Sequence, residues 1–160
     1  MNTDEQRGRM MGLAEVRAFL ERHFPQIGPG NDLVVEGIGP MTGRLRLVQQ
    51  DKHLRPGGTI SGPSMFALAD VAIYVAILGE IGVGKDPAIA WKSPGARTVT
   101  TNININFLRR PVARDLIGDA KLMRVGRRLA VGEVWLHSEG TDEAVAHAVG
   151  TYALPEGWLD

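Results

Sequence analysis

Hydrophobic positions along this chain follow two periods. Leu13, Val16, Leu20 and Phe24 recur at helical spacing. Pro25 lacks the N–H needed to continue, so the pattern predicts a short amphipathic helix over 13–24. A turn over 28–31 follows. Residues 33–38 and 44–48 read as strands, the second alternating Arg44, Leu45, Arg46, Leu47. Gly39-Pro40 between them predicts a hairpin. A loop rich in Gly and Pro, 52–63, leads into the longest helix candidate, 64–81, which Gly82 and Gly84 end. After an irregular stretch, 83–97, the pattern turns to period 2. It marks strands over 98–107, 115–124, 129–137 and 144–154, with turn signals at Arg109-Arg110-Pro111, Gly126 and Gly140.

The order is helix, two strands, long helix, four strands. Strands gathered around one helix predict an α+β fold with an antiparallel sheet. The long helix carries apolar groups on all sides, Met65, Phe66, Leu68, Val71, Ile73, Val75 and Ile77 among them. Such a helix is normally buried, so the sheet is expected to wrap around it.

Composition narrows the function. The 160 residues suit one domain. Eighteen Lys+Arg balance eighteen Asp+Glu for a net charge of +0, which argues against a nucleic-acid partner. Fourteen of the eighteen basic residues are Arg, whose forked guanidinium suits local phosphate or carboxylate sites. The chain has no Cys, which excludes disulfides, thiolate catalysis and Cys-based zinc sites. His23, His53, His137 and His147 show no metal-ligand spacing, so no metal is expected. Residues 1–10 lack the apolar core of a signal peptide. The longest apolar run, 65–78, is shorter than the roughly 20 residues that span a bilayer. A soluble, cytoplasmic protein with no membrane partner is the expectation.

One residue breaks the apolar run. Asp70 is the only charged side chain between Gly62 and Gly79. A carboxylate on a buried helix is costly unless paired or neutralised, and carboxylates held this way cluster at functional sites. The plainer alternative puts Asp70 at the surface, or on a backbone group at a subunit contact. Glycines precede the helix in Gly57-Gly58-Thr59-Ile60-Ser61-Gly62-Pro63. Unpaired N–H groups at a helix start attract anions and developing oxyanions. Pro63 suits the first helical position, and Gly62 lets a ligand approach the backbone. A capped helix start is the plainer reading of this segment.

The run Gly58-Thr59-Ile60-Ser61-Gly62-Pro63, followed by Leu68-Ala69-Asp70, resembles the signature of hotdog-fold acyl-CoA thioesterases of the PaaI type. So do Asn104-Ile105-Asn106-Phe107-Leu108-Arg109, Val125-Gly126-Arg127-Arg128-Leu129 and Gly150-Thr151-Tyr152. The resemblance covers about residues 31–154. It implies a hotdog fold, a six-stranded antiparallel sheet wrapped around a long central helix. The domain would span 31–155, with residues 1–30 as an N-terminal helical extension. It further implies a homodimer with sites at the subunit interface, and a homotetramer as a further assembly.

The resemblance also assigns roles. The helix carboxylate that acts as general base or nucleophile corresponds to Asp70. The glycine whose N–H polarises the thioester carbonyl corresponds to Gly62. A Ser or Thr donated by the other subunit corresponds to Thr100, with Thr101 as the second choice. Two positions depart from the family pattern. The usual His-Gly-Gly at the helix start is Ser61-Gly62-Pro63, where Ser61 keeps a hydrogen-bonding group and stands with the catalytic candidates. A usual Asn is Arg55, with His53 close by, and the resemblance makes Arg55, His53 and Pro63 candidates for substrate contact. The substrate is then an acyl-CoA, with coenzyme A part of the substrate and no separate cofactor. Arg109, Arg110, Arg127 and Arg128 are candidates for its phosphates. Phe66, Ile73 and Tyr74 are candidates for the acyl pocket, although plain core is the commoner role for such residues. Two other readings stay open: a non-hydrolytic acyl-CoA-binding protein and a hydratase or dehydratase on the same fold. The second expects a His near the helix carboxylate, and the helix carries none.

Overall fold

A computed structural model describes residues 11–27, 30–82, 92 and 95–156. Most of the expected irregular stretch 83–97, the helix stop at Gly84, part of the 28–31 turn and the polar residues 1–10 lie outside the described residues. The elements are α1 (Leu13–His23), β1 (Leu33–Gly39), β2 (Thr42–Leu47), a 3-10 turn (Asp51–His53), α2 (Gly62–Ile81), β3 (Val99–Phe107), β4 (Leu116–Val125), β5 (Leu129–Ser138) and β6 (Ala144–Ala153). The predicted order holds, with the 3-10 turn added inside the predicted loop.

The six strands form one antiparallel sheet in the order β1-β2-β4-β5-β6-β3. α2 lies against its inner face, which gives the hotdog architecture. Leu68, Ala69, Ala72, Ile73, Val75, Ile77 and Leu78 on α2 are fully buried. Each large apolar side chain removed from water contributes about 1.5–3 kcal/mol. By length and composition α2 could cross a membrane, but most of its residues are buried inside the molecule. The helix approaches the sheet closely at Gly43, where a Cβ would come within 3.0 Å of the Ala76 nitrogen.

Sequence and structure differ at the start of α2. The helix begins at Gly62, with Ser61 as its N-cap and Pro63 in the second helical position. The Ser61 hydroxyl accepts the Ser64 N–H, satisfying one of the helix's unpaired donors. The helix therefore starts two residues earlier than the apolar pattern alone implied.

The sheet's two edges are treated differently. β1 is covered by α1. Arg17 donates through Nε and Nη2 to the Val35 carbonyl, at 2.9 and 2.6 Å. The Met11 N–H reaches the Gly79 carbonyl at 2.9 Å. Val16, Phe19 and Leu20 of α1 join the same buried cluster as α2. β3 has β6 on one side, and among the described residues nothing pairs with its other side.

Candidate active site

α2 is not covered all round. Pro63, Phe66 and Ala67 are exposed, and Asp70 and Tyr74 are partly exposed. Their spacing puts them on one helix face. Val99, Phe107 and Leu108, on and just beyond β3, are also more than half exposed. The sequence expectation of a helix buried on every side is corrected here. Among the described residues the sheet leaves one apolar stripe of the helix, carrying Asp70, open.

Asp70 is held by two hydroxyls. Thr100 Oγ1 donates to Asp70 Oδ1 at 2.8 Å, and the Tyr152 hydroxyl reaches the same oxygen at 2.6 Å. Tyr152 also lies 2.6 Å from the Asp70 carbonyl. Among the described residues no group donates to Oδ2. One carboxylate oxygen is thus fixed and the other is free to accept a proton from water or to attack. Tyr152 is 1% exposed. Burial, then the hydrogen bond and negative charge of Asp70, push its phenol far above the ordinary range, so it remains a donor.

Strand register explains why these groups meet. Thr100 sits opposite Tyr152 in the β3–β6 ladder, and Ile103 opposite Gly150. A Cβ at Gly150 would meet both Ile73 of the helix, at 3.0 Å, and Ile103, at 3.3 Å. Simple alternation from Ile105 and Ile103 would turn Thr101 inward. A bulge between Thr100 and Asn102 adds a residue. Thr100 then faces Asp70, while the Thr101 hydroxyl donates to the Thr151 carbonyl at 3.0 Å. Thr100 and Asp70 therefore meet within one chain, where the resemblance implied a hydroxyl from the other subunit. Tyr152, quoted in the sequence only as part of a motif, supplies the second donor.

The start of α2 is built by the preceding loop. The Ser61 N–H donates to the His53 carbonyl at 2.8 Å, and the Ser61 hydroxyl donates to Ser64 Oγ at 2.9 Å. Ser61 is occupied as a cap, whereas the sequence reading placed it with the catalytic groups. The Gly62 N–H has no acceptor among the described residues, and Pro63 has no N–H to offer. An added Cβ at Gly62 would meet Phe107 at 3.5 Å, an ordinary contact. His53 is buried, and both ring nitrogens are engaged. The Gln50 N–H donates to Nδ1 at 3.0 Å, which leaves Nε2 to donate to Asp32 at 3.0 Å. His53 thus braces the loop, and neither nitrogen is left for the substrate contact the sequence suggested. Arg55 is exposed on the loop's tip, its N–H bound to the Thr59 carbonyl at 2.9 Å.

A cavity of about 440 Å³ opens beside Asp70. Val71, Tyr74, Thr98, Val99 and Thr100 line it, and α1 adds Phe19, His23 and Phe24. Phe24 meets Tyr74 edge to face at 6.2 Å between ring centroids. Burial pushes the Tyr74 phenol up to about 12. Of the sequence's pocket candidates, Tyr74 lines this cavity, Ile73 is fully buried core, and Phe66 lies on the open helix face. The α1 residues were missed, because nothing local ties residues 19–24 to residue 70.

The four candidate Arg residues are exposed and fall into two pairs. Arg109 and Arg110 follow β3 near Gly62, and Arg109 pairs with Glu143 at 3.1 Å. Arg127 and Arg128 turn between β4 and β5, and the Leu154 N–H donates to the Arg128 carbonyl at 2.8 Å, near the opposite end of β3. Among the described residues no cluster of His, Asp and Glu could hold a metal.

The family model described as the thioesterase superfamily matches residues 57–145, from the loop before α2 to the start of β6. The chain belongs to the thioesterase superfamily. Membership supports thioester hydrolysis as the general reaction. A candidate thioesterase from Silicibacter sp. TM1040 is 41% identical over 89% of this chain and 91% of its own, with a TM-score of 0.74. Zebrafish thioesterase superfamily member 2 is 21% identical over 91% of this chain and 99% of its own, with a TM-score of 0.70. The E. coli PaaI protein, from the phenylacetic acid degradation operon, is 17% identical over 90% of this chain and 93% of its own, with a TM-score of 0.71. These last two likenesses show the fold alone. No curated protein matches the chain.

Proposed function

We propose that this thioesterase-superfamily chain hydrolyses acyl-CoA thioesters to the free acid and coenzyme A, acting as a homodimer. The observation that carries the reading is the Asp70 carboxylate. It has one oxygen fixed by Thr100 and Tyr152, the other free, and a largely apolar cavity at its side. Such a carboxylate can take a proton from water as general base or attack the thioester carbon and form an anhydride. In either case charge develops on the carbonyl oxygen and needs a preorganised donor.

Gly62 is the best-placed donor among the described residues, but it cannot serve the Asp70 of its own chain. The two are eight residues apart on one helix, about 12 Å along its axis. A thioester carbonyl must lie about 3 Å from both groups. A second copy resolves this. Pairing two copies through β3 and the open face of α2 about a two-fold axis would set Gly62 of the partner subunit beside Asp70. The Arg pairs follow the same geometry. In one chain they sit at opposite ends of β3, about 26 Å apart, and across the two-fold they would meet at one end. There they could hold the phosphates of coenzyme A.

Free-thiol release from a panel of acyl-CoAs tests the function. Wild-type protein should release coenzyme A, and Asp70→Asn should lower kcat by roughly 10³-fold at unchanged melting temperature. Turnover by Asp70→Asn at the wild-type rate would overturn the assignment. The second reading, binding without hydrolysis, draws on Pro63, which removes an N–H where a second oxyanion donor would stand. Tight acyl-CoA binding with no thiol release would favour it.

A further inference from the structure

The wall of the cavity beside Asp70 comes partly from outside the segment that matches the family. That segment spans residues 57–145, and α1 with Phe24 lies wholly before it. α1 still contributes Phe19, His23 and Phe24 to the lining. It is also a rigid part of the molecule. Arg17 holds it to the Val35 carbonyl, Met11 holds its approach to Gly79, and Val16 and Leu20 are buried in the common core. A wall fixed in this way selects substrates by shape.

A thioester carbonyl at Asp70 has two substituents, and only one suits this space. The thiol side carries phosphates and would need cations. Among the described residues no Lys or Arg lines the cavity, while four of its side chains are rings: Phe19, His23, Phe24 and Tyr74. The acyl side fits. A space of about 440 Å³ lies in the range that encloses a small ligand, and edge-on rings pack well against another ring or an alkyl chain.

We propose that α1 is the acyl-specificity wall of this site, with Phe24 against Tyr74 as its end stop. The acyl groups selected are apolar and of intermediate size: a ring, or a chain of several carbons. This rests on the thioesterase reading for the position of the carbonyl at Asp70. Phe24 is the residue to change, because it is 36% exposed and caps α1 outside the tightly packed interior.

Phe24→Ala and Phe24→Trp should move selectivity in opposite directions. The probes are acetyl-, butyryl-, benzoyl-, octanoyl- and palmitoyl-CoA for hydrolysis, and the matching S-alkyl-CoA thioethers, which cannot be cleaved, for calorimetric binding. The ratio of kcat/KM for palmitoyl over butyryl should rise about 10-fold in Phe24→Ala and fall by a similar factor in Phe24→Trp, the size expected for a changed apolar pocket. Thioether affinities should shift in the same order. Thiol release with ratios equal in all three proteins would overturn the specificity wall and leave the thioesterase reading standing. Thioether affinities that follow Phe24 without any thiol release would keep the wall and sink hydrolysis.

Discussion

The sheet's two outer strands show two solutions to one problem. An edge strand leaves a row of unpaired N–H and C=O groups. β1 has its edge closed within the chain by α1, by the bidentate Arg17 contact and by a register shift between Val35 and Gly37. At that shift Glu36 takes hydrogen bonds from Arg44 and Arg46. β3 runs nine residues with no Lys, Arg, Asp, Glu or Pro, and most of it is exposed. Beside it lies the uncovered apolar face of α2. Asp70 sits on the open side. The closed edge serves stability, and the open edge leaves room for a substrate and, as proposed, for a second copy.

Breaking the open side should cost the most. Phe66 is 40% exposed on the bare face of α2. Phe66→Asp should convert a dimer to a monomer in sedimentation and lower thiol release by about 100-fold, since the proposed site takes its carboxylate from one copy and its N–H donor from the other. A dimer that keeps its activity would show that this face is not the contact.

Within the site, Tyr152→Phe removes one donor to Asp70 and keeps the ring. A hydrogen bond to a charged group is worth about 1.5–3 kcal/mol, so kcat should fall 10- to 100-fold in stopped thiol-release assays. An unchanged kcat would leave Tyr152 a packing residue only.

Changes on the closed edge should be milder and of another kind. Arg17→Ala removes both hydrogen bonds to Val35. It should cost on the order of 1 kcal/mol in denaturant unfolding, with the dimer intact. Loss of the dimer instead would mean that the two edges are coupled.

The smallest effect concerns pH. Burial alone would raise the Glu36 carboxyl, but hydrogen bonds from Arg46 and Arg44 outweigh it and hold it below the usual value. The Lys52 hydrogen bond, against burial and with help from His53, lowers Asp32 likewise. Depressed carboxyls contribute stability above their unfolded value, near pH 4, and lose it as pH falls through their folded values. Melting temperature should hold from neutral pH to about 5 and drop below about 4, less steeply in Glu36→Gln. A curve of equal slope in that variant would remove Glu36 from the acid response.

Much of this contrast was legible in the sequence, and the rest was hidden for physical reasons. Period and turn residues located every strand, and the lone Asp70 marked the site. The bare face of α2 was not visible, because Phe66, Ala67 and Tyr74 are as apolar as the residues the sheet covers. The choice between Thr100 and Thr101 turned on a bulge that no glycine or proline announces. Ser61 had the residue type and spacing of a helix cap, with Ser64 three residues on, but its place before Gly62 drew a catalytic reading. His53 looked available because the loop around it reads as polar, whereas its partner Asp32 comes from the start of β1. The α1 wall depended on docking between segments some fifty residues apart.

In the proposed dimer each site joins Asp70 of one copy to Gly62 of the other. Mixing two inactive variants tests it most directly. Asp70→Asn removes the carboxylate. Gly62→Pro removes the N–H at a position where Pro suits the first turn of a helix. Each should be inactive alone with a wild-type melting temperature. After subunit exchange, half the dimers are mixed and each carries one intact site, so about a quarter of wild-type thiol release should return. No recovery from a mixture shown by mass to contain the mixed dimer would contradict it.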